Sequence, residues 1–127
     1  MDARRPEEVD AIFVKAFNAG DLDAVVALYE PGAALTPAPG KTVVGAAAIR
    51  EALAGFLAMK PTMRLTARVL GESNDLALVS GRWELEGSGP DGKAVVLRGQ
   101  SVEVVRRQSD GRWLFVIDNP WGIEGNG

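Results

Sequence analysis

The amino-acid sequence predicts an α+β domain in which three N-terminal helices precede an antiparallel meander of long strands. Two observations carry this prediction. Apolar residues recur with a helical period up to Pro61 and with a period of two after it. Asp91-Gly92 and Asp110-Gly111 then punctuate the last strand-like runs, and this dipeptide is a strong short hairpin signal. The 127 residues read as one domain, 1–127, long enough for a hydrophobic core and free of repeats, linkers and low-complexity segments.

The first helix is expected from the spacing of Val9, Ile12, Phe13, Ala16 and Phe17, which forms one apolar stripe. Pro6 suits its first turn, and Glu7 and Glu8 complement the positive end of its dipole. Gly20 ends it, and Asp21 is placed to cap a second helix. That helix is expected to carry Leu22, Val25, Val26, Leu28 and Tyr29 and to break at Pro31-Gly32. A short strand over Ala33 to Leu35 and a Pro/Gly loop, "TPAPGK" (36–41), come next. A third helix from about Gly45 presents Ile49, Leu53, Phe56 and Leu57, and Pro61 stops it. Strands are then expected over 63–70, 76–85, 94–107 and 112–117, separated by "GESND", "GSGPDGK" and "QSDGR".

Composition narrows the chemistry. The formal charge is −3, with 14 Lys and Arg against 17 Asp and Glu and no basic block, which argues against nucleic acid and anionic membranes as partners. Neither cysteine nor histidine occurs. Thiolate chemistry is thereby excluded, and so are the commonest general base and metal ligand. Acid–base work falls to carboxylates, Tyr29 or lysines, and neither a cofactor nor a metal is expected. The start, "MDARRPEEVD", has no signal-peptide core and no run approaches 18 apolar residues, so a cytoplasmic protein is the expectation.

"FNAGDLDAVVALY" (17–29) and "GAAAIREAL" (45–53) resemble the ketosteroid isomerase and SnoaL-like (polyketide cyclase-like) branch of the nuclear transport factor 2-like superfamily. The order of elements is similar over nearly the whole chain. The resemblance implies a cystatin-like cone, a strongly curved sheet wrapped around the helices with an apolar pocket at its open end. It also implies a homodimer through the outer sheet face, where alternation presents Arg98, Gln100, Val102 and Val104. The isomerase mechanism uses a carboxylate base, with a tyrosine and a protonated acid that donate to the enolate oxygen. In this chain Phe13 stands at the tyrosine position and Pro37 at the base position, while the third group falls near Glu103. Steroid isomerisation by that mechanism is therefore not expected.

The same resemblance maps Val116, Asp118 and Pro120 on the last strand, and Ser80, Arg82 and Glu84 on an earlier one, to the pocket. It leaves Val79, Trp83 and Leu85 on the opposite face. Asp118, Glu103 and Arg82 are thus the candidate catalytic groups. Phe13, Phe17, Tyr29, Phe56, Glu84, Val116 and Trp121 are the candidate binding residues. Arg82-x-Glu84 with an acid on the last strand is also similar to the Asp-Arg-Asp set of limonene epoxide hydrolase. Plainer readings stand beside these. Arg82 and Glu84 suit a solvated rim, Asp118 suits a strand end before Asn119-Pro120, and Tyr29 suits a core position. Glu103, in a valine-rich strand, needs an arginine, a rim position or a proton, because burying an unpaired carboxylate is expensive. Three classes of function follow: a pocket protein for a small apolar or partly polar molecule, a carboxylate-using isomerase, cyclase or hydrolase, and a dimerisation or association domain.

Overall fold

Helix α1 (Glu8–Asn18) starts where Pro6 and the acidic turn place it, in a computed structural model that describes residues 2–123. Glu8 folds back so that its carboxylate accepts the backbone N–H groups of Arg4 and Arg5, at 2.8 and 2.9 Å. After Gly20, whose φ of 71° suits a residue without Cβ, helix α2 (Leu22–Val26) opens with Asp21 accepting from the Ala24 N–H at 3.1 Å. Helix α3 (Ala46–Leu57) follows Gly45. Asn18 fixes the end of α1, since its amide both donates to Met63 O (3.0 Å) and accepts from Met63 N (2.7 Å).

The second helix is shorter than the sequence suggests. It stops at Val26, and Tyr29 opens strand β1 (Tyr29–Ala38), which continues through Pro31-Gly32. Helical propensity is overridden here by pairing: Phe115 N donates to Leu28 O at 2.8 Å, and Tyr29 lies beside Phe115 in a parallel ladder. Proline is tolerated because that ladder skips between Tyr29 and Ala34, leaving Pro31 on an exposed irregular stretch. The expected loop over 36–41 is mostly hairpin, turning at Gly40 (φ 75°) into strand β2 (Lys41–Val44).

Strands β3 (Thr62–Ser73), β4 (Leu76–Ser88), β5 (Ala94–Arg107) and β6 (Trp113–Asn119) form the meander. The sheet order is β2-β1-β6-β5-β4-β3, antiparallel except for β1 against β6. The helices pack against the concave side of this curved sheet. Alternation therefore sorts the strands into an inner row, with Val79, Trp83, Leu85 and Val105 buried, and an outer row of mostly charged or partly exposed residues.

Candidate functional site

Between helices and sheet lies a cavity of about 60 Å³ with an apolar wall and an acidic floor. The wall is built from Phe13 and Phe17 of α1, Phe56 of α3, Trp83 of β4 and Phe115 of β6, with aliphatic residues between them. Phe13 stacks on Phe17 at 5.4 Å and meets Phe115 edge-on at 6.1 Å. These rings touch because α1 presents residues at i and i+4 on one face and the sheet presents its inner row. The lining residues that keep partial exposure are Phe56, Met63, Leu65, Pro120 and Trp121, so the cavity opens between α3, β3 and the C-terminal turn.

The turn after β6 is pressed onto β5. A Cβ at Gly99 would lie 2.9 Å from Pro120 O and 2.8 Å from the Trp83 ring, and one at Gly122 would lie 2.5 Å from Gln100 O. Glycine at both places permits the approach. Trp83 Nε1 donates to Pro120 O at 2.7 Å, Trp121 N is held by Asn119 Oδ1 at 3.1 Å, and the two indoles meet edge-on at 5.2 Å. Trp121 thereby lines the cavity, with its own Nε1 buried and without a hydrogen-bond partner among the described residues.

Asp118 reaches the floor through a bulge. Val105 pairs with Phe115 but Val104 pairs with Ile117, so Val116 is an extra residue in β6. Without it, strict alternation from the inward Phe115 would turn Ile117 in and Asp118 out. With it, Ile117 is 48% exposed while Asp118 is buried. Tyr29 Oη donates to Asp118 Oδ2 at 2.6 Å. Burial pushes the Asp118 carboxyl up to about 7; the Tyr29 hydrogen bond opposes this rise and the charge of Asp10 adds to it. The Tyr29 hydroxyl is itself held well above its ordinary range, by burial and then by Asp118.

Glu103 and Asp10 complete the floor. Burial, a hydrogen bond to Asp10 and the charges of Asp10 and Asp118 hold Glu103 well above the usual carboxylate range, opposed by Ser101. Ser101 Oγ donates to Glu103 Oε2 and accepts from Gly81 N at 2.9 Å. Asp10 is also raised by burial, although its hydrogen bond with Glu103 acts the other way. Asp10 Oδ2 and Glu103 Oε1 have no donor from any other described group. One proton between two carboxyl groups accounts for both: Glu103 holds it and Asp10 accepts it.

The structure brings together Asp118, Glu103, Phe13, Phe17, Tyr29, Phe56 and Trp121 around this cavity. Four residues expected there lie elsewhere, Ser80 among them, whose hydroxyl on the outer side of β4 donates to Ser101 O at 2.8 Å. Arg82 and Glu84 stand on the outer face, because β4 turns Val79, Trp83 and Leu85 inward; with a period of two, an offset of one residue exchanges the faces. Glu84 is paired there across the strands with Arg64 (2.9 Å) and Arg98 (3.2 Å), and those bonds, that from Arg64 foremost, lower its carboxyl. Val116 is the bulged residue and does not line the cavity. Asp10 was not foreseen from the sequence. Its signal was present: it precedes Phe13 by three and Phe17 by seven residues, on the helical face that turns inward.

Residues 9–116 match the SnoaL-like domain family. The chain belongs to that family. Within the NTF2-like superfamily, this SnoaL-like domain is similar in structure to a ketosteroid isomerase-like protein from Erwinia carotovora atroseptica (TM-score 0.77, 23% identity, 89% of each chain covered). It is also similar to an NTF2-like protein with a cystatin-like fold from Novosphingobium aromaticivorans (TM-score 0.74, 18% identity, 94% of this chain and 80% of that one). An NTF2-like protein from Shewanella oneidensis gives 0.69 at 25% identity, over 88% and 92% of the two chains. At such identities the likeness establishes the cystatin-like α+β fold. Among the described residues no helix is long and apolar enough to cross a membrane.

Proposed function

We propose that this SnoaL-like domain binds a small, largely apolar molecule in its inner cavity and transfers a proton on it without a cofactor. Asp118 takes and returns the proton, with the Asp10–Glu103 pair, which shares a proton, beside it on the floor. The observation that carries the reading is the Asp118 carboxyl, enclosed in an apolar cavity, bonded to Tyr29 and poised at about 7. A group that titrates near the working pH is both a competent base and a competent acid. The usual steroid-isomerase set is not supported, because Phe13 offers no donor and Pro37 does not line the cavity. A cavity of about 60 Å³ is also far smaller than the roughly 300–1,000 Å³ pockets that take drug-sized ligands.

The test is proton exchange. Compact aryl ketones and aminoketones are incubated with the protein in D2O, and deuterium uptake at the carbon beside the carbonyl is followed by NMR. Uptake that rises with pH through about 7 and is abolished in Asp118→Asn is the expected result. Binding without uptake would mark a ligand carrier and end the catalytic reading.

A homodimer through the outer face is the second element of the proposal. Leu78, Val104 and Ile117 are in register across β4, β5 and β6, an apolar row of which Leu78 is 39% and Ile117 48% exposed. Such a sheet face favours cover by another surface. Light scattering that returns a monomer at high micromolar concentration would remove it.

A further inference from the structure

We infer that the molecule taken by this cavity carries a basic nitrogen and is bound as an ammonium ion, with a compact apolar body. The inference rests on the proposed reading of the cavity as a ligand site and names the ligand's chemical class.

The ionisable groups facing the cavity are all acids, with no basic group among them. Helix α1 contributes Asp10, β1 contributes Tyr29, β5 contributes Ser101 and Glu103, and β6 contributes Asp118. From α3, β3 and β4 come only apolar and aromatic side chains, and no lysine or arginine lines the cavity among the described residues. The acids are deeply buried, with exposures of 3% for Asp10, 1% for Glu103 and 6% for Asp118. Once the proton they share leaves, Asp10 Oδ2 and Glu103 Oε1 are both acceptors that no other donor among the described residues satisfies. An ammonium group offers three N–H donors and no acceptor, the complement of this floor. The surrounding aromatic faces attract a cation as well, and more strongly where water is excluded. A carboxylate or phosphate would meet like charge with no cation to offset it.

Without such a ligand, protons on the carboxyl groups take the place of that cation. An ammonium ion arriving beside Asp118 and the Asp10–Glu103 pair must displace a proton, so its affinity rises with pH. With one proton released by a group at about 7, the gain between pH 6 and pH 8 is about tenfold.

The experiment compares benzylamine, benzyl alcohol and benzoate by calorimetry and NMR titration on the full chain at pH 6, 7 and 8. The amine stays protonated throughout, so its own titration contributes nothing. Benzylamine is expected to bind at least about tenfold tighter than the alcohol at pH 8, to strengthen about tenfold from pH 6, and to release a proton. Benzoate is expected not to bind. Glu103→Gln and Asp10→Asn are expected to reduce the amine's advantage over the alcohol and its gain with pH. Should either variant fail to fold, the pH series on the unaltered protein decides by itself. Equal binding of amine and alcohol, or tighter binding of benzoate, would overturn the ammonium assignment while leaving the cavity a ligand site. Failure of all three probes would overturn both readings.

Discussion

The Tyr29 hydroxyl donates to the Asp118 carboxylate at 2.6 Å, joining the first strand to the last across 89 residues of sequence. The contact exists because β1 and β6 run parallel as neighbours in the sheet, with Leu35 beside Asp118 and Tyr29 beside Phe115. It holds a carboxyl group in an apolar enclosure and limits how far burial can raise it.

Tyr29→Phe deletes this bond without altering the ring that packs at 4.9 Å on Phe115. The hydroxyl stabilises the ionised form of Asp118, so its removal is expected to raise the Asp118 titration above about 7. A loss of stability of about 1–3 kcal/mol should accompany it. Carbon-detected NMR of the side-chain carboxyl reads the first effect and urea unfolding the second. A midpoint that stays put or falls would refute the assignment of the bond.

Asp118 also imposes a pH dependence on stability. In the unfolded chain it ionises near 3.8, whereas in the fold it holds its proton to about 7. Between those values the folded state binds the extra proton, so stability falls as pH rises from about 4 to about 7. Glu103 and Asp10, both raised, act in the same direction. Asp118→Asn removes one contribution while keeping an acceptor for Tyr29. The variant is expected to gain about 2–4 kcal/mol on the wild type at pH 8 relative to pH 4, since each pH unit separating the folded and unfolded titrations is worth about 1.4 kcal/mol. Urea midpoints at the two pH values measure this, and an unchanged difference between the proteins would contradict it.

On the outer face, Arg82→Ala and Glu84→Ala should leave any cavity ligand bound with unchanged affinity. The Arg64–Glu84–Arg98 cluster is solvent-facing, with its arginine side chains 76% and 73% exposed, and exposed pairs contribute only about 0–1 kcal/mol. Thermal unfolding and ligand titration of the two variants check both halves. A tenfold loss of affinity in either would return that residue to the site.

Gly122→Ala should disturb the cavity from outside it. The substitution forces a side chain into a φ of 58° and brings its Cβ to 2.5 Å from Gln100 O, which is backbone and has nowhere to go. The turn carrying Trp121 must lift, at a cost of about 1–3 kcal/mol. Red-shifted tryptophan emission and weaker binding of cavity ligands are expected together. Unchanged emission would show that Trp121 does not depend on this close approach.

The sequence by itself determined the fold class and much of the site's wall. Periodicity is a local property, so the shift from 3.6 to 2 at Pro61 already separates helices from meander, and Asp21, Gly20 and the turn residues act within a few positions of themselves. The stripe through Phe13 and Phe17 was legible for the same reason, as was the need of Glu103 for a partner or a proton. The resemblance already turned Asp118 toward the pocket but chose the wrong face of β4, and the structure decided which face of each strand turns inward. That choice depends on register, and a single extra residue reverses it: Val116 bulges and so places Asp118 within, while the register of β4 puts Trp83 within and Arg82 and Glu84 outside. It decided equally that Leu28 and Tyr29 leave the helix, because strand β6, at the far end of the chain, offers them pairing that no local pattern records. The meeting of Asp10, Glu103 and Asp118 is of this kind too. Three carboxyl groups from a helix and two strands share one buried space, and only burial and proximity, both tertiary, give them their proton-holding character.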